Sequence, residues 1–387
     1  MRICIDIRCL ADGRRTGVEE YTIKILSTLF DLDQRNEYVL FFNSWKYSGA
    51  DFSWTEKFPN VKIKKFKLPN KLLNFLFWYS NWPKIDQMVG GADAVFFPNI
   101  IFGAVSKKTK LITTIHDLSF ERYPEHFSLK RRLWHIFINP ARICRRADRI
   151  IAVSASTKSD IQNLYKIRAD KIKVVPNGVA EKFQIIDRND EKLIKTKEKC
   201  DLPYKFILYF GTVEPRKNII GIIRAYGALR KFARENKNED LLKYKLVVAG
   251  ERGWSSGKIY EEIKNSTFKN NIQLINSVCE KDKAYVYNLA SLFVYPSFFE
   301  GFGFPPLEAM KCGVPVVCSN NSSLPEVAGN AAIMIDPDKP EEIYRAMKEI
   351  LTNREFRETL IAKGLSQSKS FDWKRTAEET LRVLAGW

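Results

Sequence analysis

Ser297-Phe298-Phe299-Glu300-Gly301-Phe302-Gly303-Phe304-Pro305-Pro306-Leu307-Glu308-Ala309-Met310 follows the apolar run Leu292–Tyr295. The run reads as a buried strand, and Pro305 and Pro306 suit a helix start, where backbone donors lack internal partners anyway. Gly301 and Gly303 remove side chains just ahead of that start. Backbone N–H groups there can approach an anionic or hydroxyl-rich ligand, helped by the helix dipole. Glu300 and Glu308 bracket the turn, and a carboxylate is a good bidentate acceptor for vicinal hydroxyls. The plainer alternative is an ordinary glycine turn with two solvated glutamates, because glycine spacing alone is weak evidence.

Outward from this stretch the same strand–turn–helix alternation repeats, the pattern of parallel α/β layers. Strands are predicted at 2–8, 38–43, 61–67, 94–97, 110–115, 149–153 and 172–175. A second series is predicted at Phe206–Gly211, Lys245–Gly250, Ile272–Ile275, Leu292–Tyr295, Pro315–Cys318 and Ala332–Ile335. Two such series imply two Rossmann-like domains. The turn Pro176-Asn177-Gly178 and the charged run Glu191–Lys199 set the expected boundary, giving domains 1–180 and 181–370 and a terminal helix over 371–387. Ligands of such sheets bind beyond the carboxyl ends of the strands, so the residues after strands carry the chemistry.

The 387 residues, 45% of them hydrophobic and 28% charged, suffice for two domains with real cores. Seven cysteines, at 4, 9, 144, 200, 279, 312 and 318, show no metal-type spacing and read as reduced, with Cys4, Cys9 and Cys318 placed in strands. No apolar run is long enough to span a bilayer, and the first residues read as a strand, so a cytoplasmic location is expected. The net charge of +18 is uneven: residues 61–183 hold 23 basic and 9 acidic side chains. Such a region attracts phosphates of nucleic acid, anionic lipid or substrate.

Other loops follow strands in the same way. In Phe210-Gly211-Thr212-Val213-Glu214-Pro215-Arg216-Lys217-Asn218, two cations oppose the dipole of the helix they precede, and a bound anion explains them better than solvation does. Gly13-Arg14-Arg15-Thr16-Gly17-Val18 follows the first strand, with Arg14 and Arg15 open between gripping an acceptor phosphate and plain solvation. Thr114-Ile115-His116-Asp117-Leu118 puts one of only three histidines at a strand's carboxyl end.

Taken whole, 297–310 resembles the Glu-x7-Glu signature of retaining family 4 glycosyltransferases nearly residue for residue. Cys312-Gly313-Val314-Pro315-Val316-Val317 and Leu324-Pro325-Glu326-Val327 continue the match. Val153-Ser154 and Pro176-Asn177-Gly178-Val179 also agree in order, so the resemblance covers nearly the whole chain. One departure is Gly211-Thr212, where the family usually has Gly-Arg. The version with Glu-Pro-Arg-Lys-Asn is similar to that of mannosyltransferase members, those of bacterial O-antigen and polysaccharide assembly.

The resemblance implies the GT-B fold, two Rossmann-like domains facing a cleft, with a last helix crossing back to the first domain. It implies Glu308 on the donor ribose, Arg216 and Lys217 on the departing diphosphate, and Glu300 with the 301–303 turn on the transferred hexose. Gly17, Gly211, Gly301, Phe302 and Gly303 would shape the donor site, and His116 would approach the sugar. It implies no cofactor and no metal, the cations standing in for one. GDP-mannose is the expected donor, with a UDP-hexose as alternative, and the expected acceptor is a saccharide or lipid-linked saccharide. Leu72–Tyr79, near Lys62, Lys64, Lys65 and Lys67, and Lys130–Trp134 are candidates for contact with an anionic membrane, or else simply a buried helix and a solvated one. A basic nucleic-acid-binding protein, a sugar-nucleotide epimerase and a non-catalytic scaffold are the rival classes. The first has no recognisable binding motif here, and no nucleic acid is expected as partner.

Overall fold

The computed structural model describes residues 1–12, 17–46 and 49–386. The chain divides into two compact units: Met1–Arg122 with Leu129–Gly178 and Asp372–Trp387, and Tyr123–Ser128 with Val179–Phe371. The division therefore falls between Gly178 and Val179. The short stretch Tyr123–Ser128, in the first half of the chain, groups with the second unit.

In the first unit the strands β1 (Arg2–Asp6), β2 (Glu37–Asn43), β3 (Val61–Phe66), β4 (Ala94–Phe97), β5 (Lys110–Ile115), β6 (Arg149–Ala152) and β7 (Ile172–Val174) form one sheet. Their order is β3-β2-β1-β4-β5-β6-β7, and every pairing is parallel. Parallel sheets need cover on both faces, which is why these strands are near-continuous apolar runs rather than alternating ones. Ile3, Cys4 and Ile5 of β1 and Val39, Leu40 and Phe41 of β2 are wholly buried. The edge strand β3 is the exception, with Lys62, Lys64 and Lys65 exposed along it. Charge on an edge discourages pairing with another chain.

The first strand ends sooner than expected. The Asp6 carboxylate accepts the backbone N–H of Arg8 at 3.0 Å, a local turn that competes with the ladder. Arg8 then folds its guanidinium onto the same carboxylate, and Cys9 sits in the 3-10 turn Arg8–Asp12 rather than in a strand. The last helix, Trp373–Ala385, packs on Gly17–Leu32 within this unit, with Trp373 and Tyr21 rings 6.1 Å apart. Its start is fixed by Asp372, which caps Lys374 N–H, and by Thr376, whose hydroxyl donates to the Pro176 carbonyl. Gly178 passes so close to this helix start that a Cβ there would collide with the backbone of Asp372 and Trp373.

The second unit holds β8 (Phe206–Phe210), β9 (Lys245–Ala249), β10 (Ile272–Ile275), β11 (Leu292–Tyr295), β12 (Val316–Ser319) and β13 (Ala332–Ile335) in the parallel order β10-β9-β8-β11-β12-β13. The chain winds outward from β8 to β10, then returns to the other side of β8 with β11. The loops after β8 and β11 therefore diverge at the point where strand order reverses, the place where doubly wound sheets bind ligands. In the first unit the equivalent point lies between β1 and β4.

Candidate active site

Both loops at the switch point of the second unit carry the charged residues singled out in the sequence. After β8 the chain turns through Gly211, at φ +154, and enters the 3-10 turn Pro215–Lys217. After β11 it passes Ser297 and Glu300 and reaches Gly303, at φ +114, which precedes the helix Phe304–Lys311. A side chain at Gly303 would be strained in that conformation and would press on Leu324 Cδ2 at 2.8 Å. The two loops are tied together by backbone: Phe298 N–H donates to the Arg216 carbonyl at 2.9 Å, as does the Ser297 hydroxyl at 3.1 Å.

Their side chains form one buried ionic cluster. Lys217 Nζ donates to Glu300 Oε1 at 2.6 Å and to the Tyr295 hydroxyl at 2.7 Å. Arg216 Nη1 donates to the Phe299 carbonyl and lies 3.3 Å from Glu300 Oε2. Its other edge meets Glu214 Oε1, with Nη2 at 2.8 Å and Nε at 3.2 Å. Glu214 is 1% exposed, Lys217 7% and Glu300 8%, so water does not screen these charges well.

Burial alone would raise the Glu300 carboxyl. The adjacent Lys217 and Arg216 charges outweigh it and hold the group down at about 2. Lys217 is pushed below the ordinary lysine value by burial and by Arg216, against the pull of Glu300 and Glu214. Glu214 goes the other way, raised by burial against the pull of both cations. Two carboxylates and two cations make the cluster formally neutral.

The turn carrying Glu300 is held by two serines. Ser323 Oγ donates to the Glu300 carbonyl at 3.0 Å and to the Phe302 carbonyl at 2.6 Å, and Glu300 N–H donates to Ser322 Oγ at 3.0 Å. Gly301 and Phe302 are buried, and the Phe302 ring packs against Phe304 and Phe371. The side chain of Phe302 therefore serves packing. Glu308 is 4% exposed and accepts the Tyr287 hydroxyl at 2.8 Å through Oε2. In this structure Glu300 and Glu308 thus hold separate partners.

His116 belongs to the first unit, at the carboxyl end of β5. Its Nε2 lies 2.8 Å from the Pro98 carbonyl after β4, which assigns that nitrogen its proton and leaves Nδ1 as acceptor. The ring stands edge-on to Tyr21, centroids 4.6 Å apart. Burial lowers its pKa despite the Pro98 contact and nearby Asp117, so the imidazole is neutral at pH 7. Gly17 opens the helix Gly17–Leu32. Arg14 and Arg15 lie outside the described residues.

The sequence reading passed over Glu214, Tyr295, Tyr287 and the serines. Glu214 had a signal, a glutamate two residues before the arginine it holds. Ser322 and Ser323 had none, because their contact with Glu300 joins two loops across the ends of β11 and β12. His126 was also missed. It lies with the second unit, its ring stacked on Phe298 at 5.9 Å, and Trp254 Nε1 donates to its carbonyl.

A second feature occupies the first unit. The helix Asn70–Tyr79 buries Leu73 and Phe77 but exposes Leu72, Phe75, Trp78 and Tyr79. The helix Leu129–Ile138 exposes Leu129, Leu133, Trp134, Ile136 and Phe137 beside the exposed Lys130, Arg131 and Arg132. Trp78 and Phe137 bring the two helices together, ring centroids 5.5 Å apart. Neither helix is buried whole and neither is purely solvated, so both simple alternatives give way to an exposed aromatic face with basic flanks. No helix among the described residues is long and apolar enough to cross a membrane.

Two family models match the chain, Glycosyltransferase Family 4 over residues 16–183 and Glycosyl transferases group 1 over residues 190–367. Among curated relatives, the O-antigen chain mannosyltransferase B of Escherichia coli is 36% identical over 275 residues, 71% of this chain and 70% of that one. The serotype-specific mannosyltransferase WbdA of Escherichia coli is 34% identical over 270 residues, but the match spans only 32% of that longer protein. Among solved structures, a sucrose-phosphate synthase from Thermosynechococcus elongatus has a TM-score of 0.76, covering 100% of this chain and 98% of that one, at 16% identity. That likeness is one of fold, and the fold is GT-B. The paired parallel sheets, the Glu-x7-Glu turn at the switch point of the second and these relatives together make the chain a member of glycosyltransferase family 4.

Proposed function

We propose that the enzyme transfers mannose from GDP-mannose, with retention of configuration, onto a saccharide or lipid-linked saccharide of a cell-surface polysaccharide such as O-antigen. The observation that carries this reading is the buried Arg216–Lys217–Glu300 cluster at the switch point, on a chain whose relatives are named mannosyltransferases. Arg216 and Lys217 bind the diphosphate and stabilise the charge that develops on it as the sugar leaves. Glu300, released from those cations by the phosphates, accepts hydroxyls of the hexose. Glu308 accepts the ribose hydroxyls, and His116, neutral and with a free acceptor at Nδ1, serves the sugar. With two cations on the leaving group the reaction needs no metal ion. The acceptor oxygen attacks the face the diphosphate leaves, and that diphosphate takes the acceptor's proton, so no glutamate nucleophile is required.

The aromatic and basic face of Asn70–Tyr79 and Leu129–Ile138 is the part that meets an anionic membrane, on its cytoplasmic side. Rings at the headgroup level and cations toward the phosphates are what such a surface favours. The test is transfer of labelled sugar from GDP-mannose, UDP-glucose and UDP-galactose to an extract of lipid-linked saccharides. Label moving from GDP-mannose alone supports the reading. Transfer from a uridine donor replaces the donor and leaves the family reaction in place.

A further inference from the structure

We propose that Glu214 is a positioning residue for the donor diphosphate: it holds the Nε–Nη2 edge of the Arg216 guanidinium and so withholds that edge from Glu300. The inference rests on the reading of Arg216 as a phosphate ligand given above.

The geometry is that of a cation shared between two acids. Glu214 precedes the 3-10 turn in extended backbone, φ −143° and ψ 156°, which brings its carboxylate alongside the arginine two residues later. There Oε1 takes both Nε and Nη2, one whole edge of the guanidinium. Nη1 meets the Phe299 carbonyl and lies 3.3 Å from Glu300 Oε2, while Nη2 keeps one further N–H on that side. Arginine pairs most strongly with a carboxylate through two parallel N–H bonds. With Glu214 on its Nε–Nη2 edge, the guanidinium cannot offer that edge to Glu300, which stands 3.3 Å from Nη1.

The consequence appears when a diphosphate competes for the cation. A single contact is cheaper to exchange than a bidentate one, and the guanidinium is already fixed on its far edge, so little side-chain entropy is lost. Without Glu214 the fork is free to close on Glu300, and both groups that the donor needs become each other's partners. From Gly211 to Asn218 the cations are Arg216 and Lys217, so the orientation of Arg216 governs half of the loop's positive charge. Packing supports a dedicated role: a Cβ at Gly253 would lie 3.1 Å from Glu214 Cβ and closer still to the Val213 carbonyl, so the neighbouring loop seals this side chain in. Glu214 touches the arginine, and its effect on the donor passes through it.

The experiment is a double-mutant cycle read by calorimetric titration with GDP and UDP, and by donor KM, acceptor KM and kcat. Glu214→Ala should weaken diphosphate binding about ten-fold and raise donor KM while acceptor KM stays put. The double variant Glu214→Ala/Arg216→Ala should bind no worse than Arg216→Ala alone. Glu214→Gln, which keeps the shape and an acceptor oxygen, should recover part of the loss, and it carries the test if the alanine variant fails to fold. Additive losses in the cycle, or a folded Glu214→Gln and Glu214→Ala that both bind as wild type, overturn the proposal. If Arg216→Ala itself binds normally, the phosphate reading of Arg216 falls and this inference falls with it; weakened binding in Arg216→Ala with none in Glu214→Ala removes only the role of Glu214.

Discussion

Lys217 Nζ sits 2.6 Å from Glu300 Oε1, joining two loops that lie 83 residues apart in sequence. Each side chain is nearly wholly buried, and each would be costly to bury alone. The pair is the reason that the loops after β8 and β11 present one site rather than two. On the proposed function it is also the state a donor phosphate would have to disturb, since the cation and the carboxylate satisfy each other.

Breaking the pair should therefore cost stability as well as binding. Lys217→Met keeps the volume and leaves Glu300 with the more distant Arg216, so denaturant unfolding at pH 7 should show a loss of about 3 kcal/mol. The loss should shrink in acid. Glu300 titrates lower in the folded chain than its ordinary 4.5, so the stability it contributes is complete above that value and fades as pH falls toward 2. Wild type and variant should converge in unfolding free energy as pH falls from 4.5 toward about 2. A gap that stays constant across that range would mean the lysine matters for packing and not for charge.

His116 should act as a neutral base acceptor. All three histidines have lowered pKa values, His116, His126 and His135 each through burial first. Their proton uptake favours the unfolded chain, so their contribution to stability is full above the ordinary value of 6.5 and is lost as pH drops below it. Activity should hold level down to about pH 6.5 and decline only below it. His116→Asn should lower kcat about a hundred-fold, the scale of a positioned polar group at a reacting sugar, and flatten that acid limb. An unchanged kcat in His116→Asn would leave the ring a structural partner of Tyr21.

Gly303→Ala probes the turn rather than the charges. The new methyl meets both an unfavourable φ and the Leu324 side chain, for a destabilisation of about 2 kcal/mol. On the proposed function, which places the donor at this turn, nucleotide binding should fall with it. Thermal unfolding and titration of the same preparation check both. Normal binding in a destabilised protein would separate the turn from the site.

Metal removal should have no effect. Preparations dialysed against EDTA should transfer sugar at the untreated rate if, as proposed, Arg216 and Lys217 supply the positive charge a metal would bring. Loss of turnover that returns with added magnesium or manganese would transfer that role to an ion.

Much of this architecture was legible in the sequence, for a physical reason. Strands such as Phe206–Phe210 and Leu292–Tyr295 are buried on both faces and are continuous apolar runs, so they stand out without any neighbour being known. The glycines, prolines and charges that follow them mark the loops at the carboxyl ends of those strands. What the sequence withheld was pairing. Arg216, Lys217 and Glu300 could each be named, but not that the carboxylate holds the cations it was expected merely to accompany. The amphipathic split of Asn70–Tyr79 was likewise open, because Leu73 and Phe77 differ from Leu72 and Phe75 only in what packs against them. The end of β1 was misread at Cys9, where an aspartate turn overrides an apolar run. Ser322, Ser323 and Tyr287 act only through tertiary contact and left no local trace.

The central claim is that the Arg216–Lys217–Glu300 cluster holds the diphosphate of a guanosine donor. Calorimetric titration of GDP-mannose, beside UDP-glucose, into wild type and Lys217→Met tests it most directly. The account predicts binding of GDP-mannose by wild type, weaker or absent binding of UDP-glucose, and at least about a ten-fold loss of affinity in the variant. Equal affinity in wild type and a folded Lys217→Met would contradict it.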